Sequence, residues 1–169
     1  MTGRGRSQTL KSIREDEGVS MQTYIFACIH NAGRSQMAAA FFNKFANPAS
    51  ARALSAGTNP TAHVHPEVVR VMREEGIDLA RVQPQKLTHE LVAVADTLVT
   101  IGCGEDWPPV PGLERFDWPV PDPRGKSIPM VRAIRDEIKL LIENLLRERK
   151  LHRLSNEVSA IAPGLSPSA

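Results

Sequence analysis

The chain reads as an α/β fold, a single domain with a parallel sheet flanked by helices on both faces. Three observations point there. Short apolar runs alternate along the sequence with longer segments of helical period. The first of them, Tyr24-Ile25-Phe26-Ala27, is apolar throughout, the mark of a strand covered on both faces. The length, 169 residues, suits one ordinary hydrophobic core.

Taken in order, Tyr24-Ile25-Phe26-Ala27 is the first buried strand. A helix follows over Ser35 to Ala46, rich in Ala, Met and Phe and stopped near Asn47-Pro48. Arg52 to Ser55 is a second strand, closed by Gly57. Pro66 opens a helix through Glu75, with Val68, Val69 and Met72 at helical spacing and Gly76 as its stop. Thr88 to Val94 reads as a short helix, Thr97 to Ile101 as a third strand, and Arg115 to Trp118 as a fourth. The last helix spans Ile128 to Lys150, with an apolar stripe of Val131, Ile134, Ile138, Leu141, Leu145 and Leu146. Residues 21–152 form the expected catalytic domain. Residues 1–20 and 153–169 are polar or rich in Ser, Pro and Ala, and are expected to be loose ends.

Composition narrows the function. The net charge of +2 is small and Lys and Arg are dispersed, so no nucleic-acid partner is indicated. No run approaches membrane-spanning length and the first residues lack the apolar core of a secretion signal, so a cytoplasmic location and no membrane partner are expected. Two cysteines, Cys28 and Cys103, give no disulfide framework. No Cys or His spacing makes a zinc site, and no metal is expected. His63 and His65 read as solvated loop side chains rather than ligands.

In a parallel sheet the ligand crevice lies beyond the carboxyl ends of the strands. Two polar clusters fall there, after Ala27 and after Trp118. The first is Cys28-Ile29-His30-Asn31-Ala32-Gly33-Arg34-Ser35, a Cys-x5-Arg loop between a strand and a helix. A loop entering a helix aims several N–H groups inward, and the helix start adds partial positive charge. That is a cradle for a tetrahedral oxyanion, in which Arg34 can supply a forked guanidinium. The same field favours the thiolate of Cys28, the form that acts as nucleophile. Ser35 is placed to donate to that thiolate, Asn31 to hold the loop open, and Gly33 to permit a turn a side chain would obstruct. The bland alternative is a buried small residue at 28 and a surface charge at 34. The second cluster contains Asp122-Pro123, a candidate general acid that would protonate the leaving oxygen. By itself Asp-Pro is also an ordinary turn.

Together, Cys28 to Ser35, Ser55-Ala56-Gly57-Thr58, Val99 to Gly104, and Asp117-Trp118 leading to Asp122-Pro123 resemble the low-molecular-weight phosphotyrosine phosphatase superfamily, and within it the arsenate reductases. The resemblance covers about residues 22–150. It implies a small four-stranded parallel sheet, with Cys28 as nucleophile, Arg34 as oxyanion binder, Ser35 as thiolate stabiliser and Asp122 as acid. The family's phosphatases typically carry a second cysteine in the loop, Pro after Arg-Ser and Tyr after Asp-Pro. Here those positions hold Ala32 or Gly33, Gln36 and Arg124, which favours the reductase branch. Thioredoxin-coupled reductases resemble this chain at Cys103, the candidate resolving thiol, but their next cysteine is replaced around Trp107-Pro108. The resemblance therefore implies no bound cofactor and an external thiol: mycothiol, glutathione, bacillithiol or thioredoxin, with a small thiol or a glutaredoxin-type protein as partner. The first helix reads Met37-Ala38-Ala39-Ala40, without the acidic residue through which some relatives hold potassium. Expected partners are arsenate or a phosphate-like oxyanion. A protein-tyrosine phosphatase with a Cys28 phosphoenzyme and a non-catalytic oxyanion-binding or redox-sensing module are the alternatives.

Overall fold

Four parallel strands form the sheet of the computed structural model, which describes residues 20–102 and 109–154. They are β1 (Gln22–Cys28), β2 (Ala51–Gly57), β3 (Thr97–Ile101) and β4 (Glu114–Trp118), in the order β2-β1-β3-β4. The helices are α1 (Arg34–Phe45), α2 (Pro66–Arg73), α3 (His89–Ala93) and α4 (Ile128–Arg149). Strand side chains alternate between faces, so β1, β2 and β3 each feed two cores, while β4 gives only Phe116 and Trp118 to the larger one. Tyr24, Phe26, Val99 and Ile101 meet α1, α2 and α4 in the larger core. Ile25, Ala27, Ala56 and Leu98 meet Leu87 and Val92 of α3 and its approach in the smaller one. All five side chains of β3 are buried, Thr97 and Thr100 among them.

Helix ends follow their local chemistry. Pro66 starts α2, where its missing N–H removes nothing the helix needs. Thr88 caps α3, its hydroxyl accepting from Leu91 N at 3.1 Å. Lys150 closes α4 in the left-handed region at φ 56°, and Leu151 N bonds back to Leu146 O at 2.9 Å. The stripe expected on α4 is corrected in part. Ile142 is fully buried and Leu141 only partly, and Arg135 also faces inward. Arg135 is tolerated because its guanidinium is fully engaged: Nη1 donates to Val71 O (2.9 Å) and Glu74 Oε2 (2.7 Å), and Nε to Asp136 Oδ1 (2.8 Å). Arg132 joins Glu74 through a two-pronged pair, tying α4 to the end of α2.

The position of β1 decides where a ligand can bind. From β1 the chain crosses first to β2 on one side and later to β3 on the other. A crevice opens at the carboxyl end of β1, where these connections part. Cys28 is the last residue of that strand.

Candidate active site

A loop can aim all its N–H groups inward only if its carbonyls find partners outside. The segment after β2 supplies them. Thr58 N donates to Cys28 O (3.2 Å), Asn59 N to Ile29 O (2.7 Å), Thr61 N to His30 O (3.1 Å) and His65 N to Ala32 O (2.9 Å). Gln36 Nε2 takes the remaining one, Asn31 O, at 3.1 Å. Among the described residues no backbone carbonyl pairs with the N–H of His30, Asn31, Ala32 or Gly33. The loop therefore presents a row of donors at the start of α1, whose first residue is Arg34. Close approach of the outer segment requires Gly57, where a Cβ would lie 2.6 Å from Ile29 O and 2.8 Å from Asn31 N.

Cys28 is a free thiol, 2 % exposed, and its Sγ lies 2.9 Å from Ser35 Oγ. Asn31 orders that contact. Its Oδ1 accepts from Gln36 Nε2 (3.1 Å) and from Gln85 N (2.9 Å), which fixes its amide so that Nδ2 donates to Ser35 Oγ at 2.8 Å. With one lone pair of Ser35 so engaged, its O–H is free to point at the Cys28 sulfur. Asn31 adopts φ 50°, a left-handed conformation that Asn tolerates better than most residues. The expected roles of Ser35 and Asn31 thus have matching geometry, and Gln36 and Gln85 are supporting residues that the sequence did not disclose.

Arg34 is buried beneath the loop. Its Nη1 donates to Val120 O (3.0 Å) and, more weakly, to Gly102 O (3.4 Å). These carbonyls follow β4 and β3, so the sheet itself aims the guanidinium and leaves the Nε–Nη2 edge as the fork. Nη2 lies 3.7 Å from Asp122 Oδ2. Asp122, with a side chain 42 % exposed, also accepts from Arg124 N through Oδ1 at 3.0 Å. The structure therefore brings Cys28, Arg34, Ser35 and Asp122 to one crevice.

Two readings of the sequence change. Gly33 lies at φ −145°, outside the left-handed region, so its value is close approach: a Cβ would lie 2.8 Å from Pro123 Cγ. His65 is no solvated loop side chain. It is half-buried, and its Cδ2 would be 3.7 Å from that same Cβ. Burial lowers its pKa below the usual histidine value, against opposing pulls from Asp122 and Glu67. His63 is exposed. Among the described residues no group of three or more His, Cys, Asp or Glu side chains could hold a metal ion. Ala38 and Ala39 are buried on α1 and offer no ligand atom beside the loop. Cys103 and Trp107 lie outside the described residues. Trp118 packs on the core with its ring 5.8 Å from Phe26.

Comparison with known proteins places this geometry. An arsenate reductase of Brevibacillus brevis is 36% identical over 69% of this chain and 88% of its own length. A glutaredoxin arsenate reductase of Synechocystis is 30% identical over 75% of this chain and 97% of its own. Among solved structures, the thioredoxin-dependent arsenate reductase of Corynebacterium glutamicum superposes with a TM-score of 0.67 at 32% identity, over 77% of this chain. The present chain spans 62% of that protein's length. Residues 23–159 match the family model for low molecular weight phosphotyrosine protein phosphatases, and the chain belongs to that family.

Proposed function

We propose that this enzyme is an arsenate reductase in which Cys28 is the nucleophile. The observation that carries this reading is the combination of an outward-bonded oxyanion loop with a buried thiol held 2.9 Å from Ser35 Oγ. It is supported by relatives of 30–36% identity that are named arsenate reductases. Arsenate binds to the loop amides and the Arg34 fork. The Cys28 thiolate attacks arsenic and an As–S bond forms. The As–O bond opposite breaks, and Asp122 gives its proton to the departing oxygen, which leaves as water. An external thiol then attacks Cys28 Sγ. The electron pair of the As–S bond stays on arsenic, As(V) becomes As(III), and the two sulfurs join as a disulfide that a further thiol opens. Transfer of arsenic to the incoming thiol, with reduction completed outside the protein, is the other route the same site allows.

The reductant is an external thiol. Relatives named for glutaredoxin and for thioredoxin support that class. Within it we favour a small thiol such as mycothiol, glutathione or bacillithiol, because a relay inside the protein needs two cysteines besides Cys28 and the sequence holds only Cys103. A thiolate enzyme working with such reductants belongs in the reducing cytoplasm, and no helix among the described residues is long and apolar enough to cross a membrane.

Phosphotyrosine hydrolysis is disfavoured by the aromatic side chains. Among the described residues, Tyr24, Phe26, Phe41 and Phe42 are fully buried, and Phe45, Phe116 and Trp118 pack against the core they belong to. The test compares arsenate-dependent thiol consumption, with each candidate thiol and thioredoxin in turn, against hydrolysis of a phosphotyrosine peptide. Arsenate turnover should exceed hydrolysis in kcat/KM, and peptide hydrolysis without arsenate-dependent thiol consumption would reverse the assignment.

A further inference from the structure

His65 is a titratable side chain at the crevice that the mechanism does not use. His65 is fixed at the oxyanion loop by its own backbone, N–H to Ala32 O at 2.9 Å, and by α2, whose Val69 N bonds to His65 O at 3.0 Å. Its imidazole and the Pro123 ring close over the same point on Gly33, at 3.7 and 2.8 Å from where a Cβ would be. Pro123 is buried and directly follows Asp122. The His65 ring and the residue after the proposed acid therefore both pack on Gly33 of the oxyanion loop.

The charged and titratable neighbours of His65 come from every element around it: Asp122 and Arg124 from the acid segment, His30 from the oxyanion loop, and Glu67 from the first turn of α2. Asp122 already has one cation at hand, Arg34 Nη2 at 3.7 Å. A general acid beside one guanidinium can still carry a proton; a second full positive charge beside it favours the carboxylate. We propose that His65 is a positioning residue for Asp122: as a neutral imidazole on Gly33, where Pro123 also packs, it seats the acid segment over the oxyanion loop, and as an imidazolium it holds Asp122 as a carboxylate and switches proton donation off. Burial supports the neutral form of His65 at neutral pH, against the opposite pull of Asp122. The switch operates as pH falls through the His65 titration. This inference rests on the assignment of Asp122 as the acid.

The experiment is single-turnover arsenate reduction at saturating arsenate, with the half-saturating arsenate concentration measured alongside. His65→Gln removes the titration, and the ratio of its rate to that of the unmodified enzyme should rise about fivefold between pH 7.5 and pH 5. His65→Lys makes the charge permanent. At pH 7.5 it should slow the step about tenfold while leaving half-saturation unchanged or lower, since added positive charge does not repel an oxyanion. In an Asp122→Asn background both effects should vanish. A flat ratio, a lysine variant that raises half-saturation in step with its loss of rate, or effects that persist without Asp122 would each overturn the proposal. Should the His65 variants fail to fold, the acid-side fall of the unmodified enzyme must still disappear in Asp122→Asn, and its persistence there refutes the coupling. If Asp122→Asn slows nothing, the acid assignment itself fails, an outcome distinct from a slowed Asp122→Asn whose pH dependence ignores His65.

Discussion

Gly102→Ala isolates how the sheet aims Arg34. Gly102 lies at φ +59°, and a Cβ there would be 2.2 Å from Arg34 Nη1 and 2.9 Å from Val120 O. The guanidinium would have to retreat about 1.2 Å to reach ordinary contact distance, abandoning the two carbonyls that orient it. A displacement of about 1 Å in a positioning group costs roughly 10² in function. The left-handed backbone adds about 1–2 kcal/mol of strain for alanine, or a Tm lower by about 2–8 °C in a domain of this size. Gly112→Ala supplies the control. It has the same kind of backbone, φ +79°, with nothing within 4 Å of the added Cβ. Both variants should lose comparable thermal stability. Only Gly102→Ala should lose oxyanion affinity, by about 10²-fold. The assay is protection of Cys28 from iodoacetamide by inorganic phosphate, followed on the Cys28 peptide by mass spectrometry. Equal phosphate protection in the two variants would refute the claim that the carbonyls of Gly102 and Val120 set the guanidinium.

The other expectations concern single groups. Ser35→Ala removes the hydroxyl 2.9 Å from Cys28 Sγ, so alkylation of Cys28 at about pH 7 should slow, and an unchanged rate would return Ser35 to a packing role. Asp122→Asn should leave phosphate protection of Cys28 intact while slowing single-turnover arsenate reduction by roughly 10²–10⁴. Glu74 is held well below the usual carboxylate range, at about 2 against 4.5, chiefly by hydrogen bonds from Arg132 and Arg135. A depressed folded pKa gives stability that is full above the unfolded value and is lost as pH falls through the folded one. Glu74→Gln should therefore lower Tm at pH 7 and converge with the unmodified protein as pH drops from 4.5 toward 2. A constant difference across that range would remove the ion pair as its cause.

The strands and the first residues of the loop were legible because their signals are local. Apolar runs such as Thr97 to Ile101 are strands from end to end, and Cys28 to Ser35 reads as an oxyanion loop from its own residue types. The supports were not legible, because they join residues far apart in sequence. Gln85 meets Asn31 across 54 positions, and Gly102 meets Arg34 across 68. Neither has a signature of its own, since a glycine needed for close approach looks the same in sequence as one in a turn. His65 was misread for a related reason: His-Pro before a helix is ordinary surface chemistry, and only the fold lays it on Gly33. Arg135 broke the apolar pattern of α4 because its partners are Val71 on α2, Glu74 just past it and its own next residue Asp136, where no helical period announces them.

The cradle by itself does not separate arsenate from phosphate. Backbone donors and the Arg34 fork recognise a tetrahedral dianion, and the two anions offer the same shape and charge. Discrimination has to come after binding, from what the Cys28 adduct can do. A thiol approaching the Cys28 sulfur can displace arsenic with the electron pair of the As–S bond, because As(III) is an accessible product. Displacing phosphorus in the same way would demand P(III), which a thiol cannot provide, so a phosphoryl-Cys28 can only be hydrolysed or returned. The branch between reductase and phosphatase therefore lies in access. A reductase must let a thiol reach Cys28 Sγ, whereas a phosphatase must hold an aryl leaving group and then seat a water. In this chain Arg124, not an aromatic residue, follows Asp122-Pro123, and it is exposed. Under the proposed function the loop and Arg34 hold the anion, and the reaction is decided by which group can then reach the Cys28 sulfur, itself only 2 % exposed.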